Sequence, residues 1–415
     1  MPNEIQIRDL DLPADGKSLQ RVWREIGWSD SERSDRVMLD VFAEGSASVG
    51  TINDEVECAV LTQPGTMRLD QQDLPLCVVA AVTTSRIARG LSLAQKLTAR
   101  QLVQGQQTGA AVAALGMFDQ GFYDKLGFGT GAYINEFSFD PSLLNVNIKP
   151  RTPTRLTAAD APRMLATMLA RPRTHGAVTI DLSKSFESEL DRENRFGLGY
   201  FEGERLTHFM WMKEKGEHGP YWVEWMGYET GAGLLELLAL LKSLSDQIYS
   251  VFMLEPPHVQ FQTLLKRPFR SQAIAEKGKF SAGQETYAWY QLRILDLPQC
   301  VQALNYNGPD ICFQLRVDDP MDGLLNSPDL AEQQALWQTL GGDWIVTPGE
   351  QATATRGLDE ALPQMHCTVN TLSRLLWGVS RASSLAISDG LTAPVALLQA
   401  LDGVFTANPN PGWEF

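Results

Sequence analysis

The sequence predicts a mixed α/β chain, and three observations support that class. Residues 76–131 read as an apolar strand, a turn rich in arginine and glycine, a helix, a second apolar strand and a short helix. A weaker version of the same order returns over residues 221–268. From about Leu297 the pattern changes to alternating segments, such as ICFQLRV at 311–317, which suit antiparallel strands followed by helices. Three units are therefore expected, over residues 1–145, 146–296 and 297–415, with Pro141 and Pro150 near the first edge.

In the first unit, Cys77–Val82 (CVVAAV) is too short for a typical helix and rich in valine, as a strand buried on both faces would be. Thr83–Gly90 turns the chain, and apolar residues at 91, 94, 97 and 102 then recur at helical spacing. A strand entering a helix in this way leaves backbone N–H groups unpaired at the positive end of the helix dipole, where anions bind. Gly90 permits close approach of the main chain to a phosphate, and Arg86 and Arg89 supply charged donors. An ordinary strand-to-helix turn with two solvated arginines reads the same way, so this segment alone leaves both open. Gly109–Met117 is a second apolar strand, followed by FYDKLGFG, a short helix around Tyr123 that ends at Gly127.

In the second unit, Arg155–Leu169 predicts a short strand, a cap at Thr157 and an amphipathic helix. The strand Tyr221–Tyr228 leads into a leucine-rich helix with Leu234, Leu237, Leu238, Leu241 and Leu244 on one face. Its turn, Glu229–Gly231, lacks the arginines and the glycine spacing, so no coenzyme is expected there. In the third unit, DWIVTPG and QATATRG read as strands, Thr368–Leu385 as one amphipathic helix, and Ala393–Pro394 as the start of a last helix.

Composition narrows the function. The chain has 415 residues, 44% of them apolar, enough to bury more than one core. Its net charge of −15 argues against a nucleic-acid partner and favours a cationic one. Solubility alone also accounts for that charge. Five cysteines without a CxxC pair and five histidines without HExxH offer no metal framework. A reduced, cytoplasmic setting fits these thiols. No apolar run approaches the ~20 residues of a membrane span.

Strand, turn, helix, strand and then FYDKLGFG together resemble motifs A and B of the GCN5-related N-acetyltransferases. The departure lies at Ile87, where the family has Gln or Arg, and at Ser92, where it has a small residue; weaker coenzyme binding is expected, with Arg86 as a substitute. The third unit, best matched at Arg381–Leu385, resembles the sterol-carrier-protein fold. This layout, with the terminal WEF, resembles the bacterial Eis (enhanced intracellular survival) acetyltransferases, and it covers essentially the whole chain. Residue-level likeness is confined to Val82–Leu91, Gly121–Gly129, Arg381–Leu385 and Glu414–Phe415. The resemblance implies two tandem acetyltransferase units, the second degenerate, acetyl-CoA as cosubstrate, a cationic amine such as an aminoglycoside as acceptor, and a hexamer. It implies that Ala81, Val82 and Thr83 meet the coenzyme through their backbone and that Arg86, Ile87, Ala88, Arg89, Gly90 and Leu91 form the phosphate turn. Tyr123 becomes the general acid, the carboxylate of Phe415 the base, and Asp30 an acidic substrate contact.

Such a reaction removes a proton from an amine, stabilises a tetrahedral oxyanion and protonates a thiolate. A backbone N–H near Val82 suits the oxyanion. The tail Thr406–Phe415, with two prolines and a glycine, leaves the preceding helix, and ten residues reach ~33 Å, enough to carry Glu414 into a cleft elsewhere. Trp23, Trp28, Asp30 and Glu44 fit an amine pocket through cation-π and ionic contacts, and the two tryptophans fit a core equally well. A protein lysine remains an alternative acceptor, and a lipid-binding protein with vestigial acetyltransferase units an alternative class.

Overall fold

A computed structural model describes residues 4–180, 183–269, 280–304, 311–349, 351–405 and 408–412. Its strands and helices form a mixed α/β architecture. The first sheet runs in the spatial order Ile5–Asp9, Ser46–Ile52, Glu55–Leu69, Gln72–Thr84, Val112–Gly116, Tyr290–Ile294 and Gly129–Thr130, with Val178–Thr179 added on Glu55–Leu69. The second runs Gly283–Tyr287, Ile134–Phe139, Val251–Leu254, Tyr221–Tyr228, Arg205–Glu214, Arg195–Glu202 and Thr154–Leu156. The third runs Thr353–Arg356, Gly342–Thr347, Phe313–Asp318 and Gln364–Thr368.

The first two sheets exchange strands. Ile134–Phe139 precedes residue 145 yet pairs antiparallel with Val251–Leu254 in the second sheet. Tyr290–Ile294 precedes residue 296 yet pairs antiparallel with Val112–Gly116 in the first. Arg293, Leu292 and Ile294 on that strand are wholly buried. Apolar residues of the first and third sheets merge there into one core that contains Leu292, Phe313, Trp344 and Trp377.

Most local expectations hold with shifted ends. The expected helix after the turn spans Leu93–Gln107, and Tyr221–Tyr228 is a strand over the expected residues. Thr157 forms a capping box with Asp160 ahead of the helix Ala161–Ala170. The expected single helix over Thr368–Leu385 is two, Val369–Leu376 and Ala382–Ser388. Gly378, at φ 63°, takes the left-handed conformation that ends the first of them. Among the described residues no helix is long and apolar enough to cross a membrane.

Candidate active site

The strand Gln72–Thr84 builds the centre of the site. It pairs parallel with Val112–Gly116 only from Leu76 opposite Val112 to Val78 opposite Ala114, and beyond that the strands part. On its other side, Ala59 faces Thr83 and Leu61 faces Ala80, so Ala81 and Val82 together face Val60. This is a β-bulge, which re-aims backbone groups. Ala81 sits at φ 48°, a conformation that costs an alanine about 1–3 kcal/mol and that accumulates at functional sites. The hydroxyls of Thr83 and Ser85, just beyond the bulge, are buried without a hydrogen-bond partner among the described residues.

The turn that follows leaves several of its amides without a partner among the described residues. Ala88 donates to the Ser85 carbonyl and Leu91 to the Ala88 carbonyl, each at 3.3 Å, and Gly90 and Ser92 take positive φ of 82° and 58°. Ser92 heads the helix Leu93–Gln107 without a side-chain cap. The amides of Arg89, Gly90, Ser92 and Leu93 have no partner among the described residues. A Cβ on Gly90 would meet nothing within 4 Å, so the turn opens onto free space. These groups suit a diphosphate. The corresponding helix of the second sheet, Gly231–Ser243, differs. There Thr230 Oγ1 accepts from the Gly233 amide at 3.2 Å, and the ring of His208 lies against Gly233.

Arg86 does not stand in for the residue that Ile87 replaces. Its guanidinium donates to the Glu25 carbonyl at 3.0 Å and its amide to the Glu25 carboxylate at 2.5 Å, so it is tied to the end of the helix Leu12–Ile26. Arg89 is exposed and makes no ion pair among the described residues. Ile87 and Leu91 are exposed, at 67% and 38%.

Tyr123 lies on the short helix Gln120–Asp124 and is 2% exposed. Its ring meets Phe118, Phe122 and Phe128 edge-on, with centroids 5.7, 4.9 and 6.0 Å away. It shares an apolar cluster with Val79, Val82 and Leu115, and so lies with the parting strands. Among the described residues its hydroxyl makes no hydrogen bond, and burial raises its pKa well above the usual phenol value.

Distant residues fix this helix. Gln291 Nε2 donates to Asp124 Oδ1 at 2.8 Å, and Asn370 Nδ2 donates to the carbonyls of Asp124 and Phe128 at 2.9 and 2.8 Å. Arg293 Nη1 donates to the Leu126 carbonyl while its Nη2 is paired with Asp319 at 2.7 Å, both side chains being fully buried. Nothing local in the sequence marks these residues: the exchanged strand Tyr290–Ile294 brings Gln291 and Arg293 to FYDKLGFG, and the helix Val369–Leu376 brings Asn370.

A cavity of about 600 Å³ adjoins the bulge, with Ala80 and Ala81 in its wall. Its other walls come from the helix Glu32–Ala43 through Met38 and Val41, and from Phe186, Glu189 and Trp225 near the second sheet. Trp28, half exposed, lines it. Asp30 does not: it is exposed, and its Oδ1 accepts from Ser34 Oγ at 3.2 Å. Trp23 is core, fully buried against Phe42 with centroids 5.2 Å apart. Glu44 accepts from the amides of Lys184 and Ser185 at 3.2 and 2.5 Å, capping the helix Ser183–Leu190 that carries Phe186 and Glu189.

The tail approaches this region. Asn410 donates its amide to the His175 carbonyl and Pro411 accepts from the Val178 amide, both at 2.9 Å, and Ile180 lines the cavity. Trp413, Glu414 and Phe415 lie outside the described residues.

No family model matches the sequence, and no curated protein matches it. Solved structures do, in shape. A GCN5-related N-acetyltransferase from Anabaena variabilis superposes with a TM-score of 0.75 at 15% identity, covering 98% of each chain. One from Kribbella flavida gives 0.73 at 18% identity, covering 100% of this chain and 98% of that one. Eis1 from Mycobacterium abscessus gives 0.72 at 15% identity, covering 99% and 100%. Across nearly its whole length, this chain has the fold of the GCN5-related N-acetyltransferases.

Proposed function

We propose that the protein transfers the acetyl group of acetyl-CoA to a primary amine. The observation that carries this reading is the bulge at Ala81–Val82, where a strand parts from its neighbour, between a turn of unpartnered amides and a buried tyrosine. Acetyl-CoA supplies an activated thioester: the amine nitrogen bonds to the carbonyl carbon, the carbon–sulfur bond breaks, nitrogen loses a proton and sulfur gains one. The amides of Arg89, Gly90, Ser92 and Leu93, with the Arg89 side chain, hold the diphosphate. The bulge aims a backbone donor of Val82 at the developing oxyanion.

Tyr123 serves as the donor to sulfur. A phenol near pKa 10 is a weaker acid than a thiol near about 8.5, so complete transfer to a free thiolate is unfavourable, and burial widens the gap. The neutral phenol therefore acts by hydrogen-bonding the sulfur as negative charge grows, and its proton follows as the amine releases one. The tail acts in that release, its residues 413–415 lying outside the described residues. Support comes from the described part of the tail, which hydrogen-bonds along the segment leading to cavity-lining Ile180. Removal of 413–415 should lower turnover at least as strongly as Tyr123→Phe. Kinetics unchanged by that deletion would exclude the tail.

The test of the main reading is acetyl-CoA binding by calorimetry, followed by thiol release on addition of amines. A protein that binds no acetyl-CoA and releases no thiol with any amine would refute it.

A further inference from the structure

The cavity beside the bulge has a chemical character that selects among amines. This inference rests on the acetyl-transfer reading and names its acceptor class. Trp28, Met38, Leu61, Met168, Phe186 and Trp225 supply an apolar wall. Phe186 and Trp225 meet edge-on, centroids 4.9 Å apart at 89°, and form a pre-set aromatic corner. Among the described lining residues the charged groups are Glu189 and Arg192 alone, and they neutralise each other: Arg192 Nη2 donates to Glu189 Oε1 at 2.6 Å.

A polycation would bring several charges into this wall and find, among its described residues, one carboxylate, already paired. Desolvating ammonium groups without partners is costly. The volume of about 600 Å³ lies in the usual range of small-molecule sites, and an apolar body would fill it favourably.

We propose that the acceptor is a monoamine on an apolar, aromatic body, an arylalkylamine in class, and not an aminoglycoside-like polycation. The ring lies among Trp28, Phe186 and Trp225, and the nitrogen lies toward Ala80–Ala81, where the bulge joins cavity to thioester groove. The nitrogen gains the acetyl group and loses one proton; CoA leaves as the thiol.

The experiment compares kcat/KM by thiol release for 2-phenylethylamine and tryptamine against spermidine and kanamycin, with acetyl-CoA binding measured separately. The arylalkylamines should exceed the polycations at least a hundredfold (~100), and n-alkylamines should gain roughly threefold per added methylene. Trp28→Ala, at a half-exposed position whose loss leaves the core intact, should raise KM for tryptamine about tenfold with little change in kcat. Polycations turned over as well as arylalkylamines, or a Trp28→Ala variant with unaltered KM, would overturn the acceptor class while leaving acetyl transfer standing. Absent acetyl-CoA binding would instead refute the parent reading.

Discussion

The guanidinium of Arg293 occupies the space in which Gly127 would carry a side chain: a Cβ there would lie 1.6 Å from Nη1. Gly127, at φ 83°, both turns the chain after the Tyr123 helix and leaves room for the buried Arg293–Asp319 pair. The glycine of FYDKLGFG is thus a packing requirement set by a strand more than 160 residues away, as the Arg293 to Leu126 hydrogen bond spans 167 positions.

Gly127→Ala should therefore displace Arg293 and leave Asp319 buried without its partner. A loss of about 3–5 kcal/mol is expected in denaturant unfolding. Arg293→Met should cost a similar amount, and the double variant little more than either single, because both break one network. Additive losses would show that the two residues act separately.

Tyr123→Phe preserves the edge-on contacts to Phe118, Phe122 and Phe128. Thermal stability and acetyl-CoA affinity should stay near wild type while kcat falls about a hundredfold or more. A variant with full turnover would remove the phenol from the mechanism.

The pH profile should reflect the buried phenol. Burial raises its pKa above the usual 10.0, so it stays protonated through the working range. Turnover should rise as the acceptor amine loses its proton and should show no decline attributable to tyrosine below about pH 10. A decline centred near pH 8 that Tyr123→Phe abolishes would contradict this.

Arg89→Ala should weaken acetyl-CoA binding about tenfold through the loss of a charge-assisted contact, read by calorimetry and by a steeper salt dependence in wild type. Arg86→Ala should have the smaller effect, because Arg86 is held by Glu25. The reverse order would reassign the phosphate contact.

His175 should make the fold acid-sensitive. Its Nδ1 accepts from the Asp70 amide, and its Nε2 faces the Trp377 carbonyl, each at 2.9 Å, which requires the neutral ring. Burial first of all lowers its pKa below 6.5, so the unfolded chain takes up a proton that the fold refuses. This contribution is complete above about pH 6.5 and is lost as pH falls below it. The thermal midpoint should drop between about pH 7 and pH 5, and His175→Gln should flatten that slope.

The sequence revealed what depends on neighbours along the chain. The strand, turn and helix from Cys77 to Val103 and the Tyr123 helix were legible from periodicity and glycine placement. The bulge at Ala81 was not, since an alanine at positive φ leaves no compositional mark. Gln291, Arg293 and Asn370 were invisible because tertiary packing brings them to the site, the first two on an exchanged strand and the third on the helix Val369–Leu376. Trp23 and Glu44 fitted a pocket by residue type; the structure makes one a core residue and the other a cap for the helix bearing Phe186. The expected carboxylates Asp30 and Glu44 lie outside the cavity, and the charged residues that do line it, Glu189 and Arg192, pair with each other.

The strand Tyr290–Ile294 lies between Val112–Gly116 and Gly129–Thr130 in the first sheet. A nascent chain emerging from the ribosome therefore holds the Tyr123 helix without its shelf until residue 294 has been made. Synthesis must leave that gap open for a long stretch of translation, so a fragment ending near 145 should fail to fold, and early folding should begin in the local hairpins rather than around Tyr123.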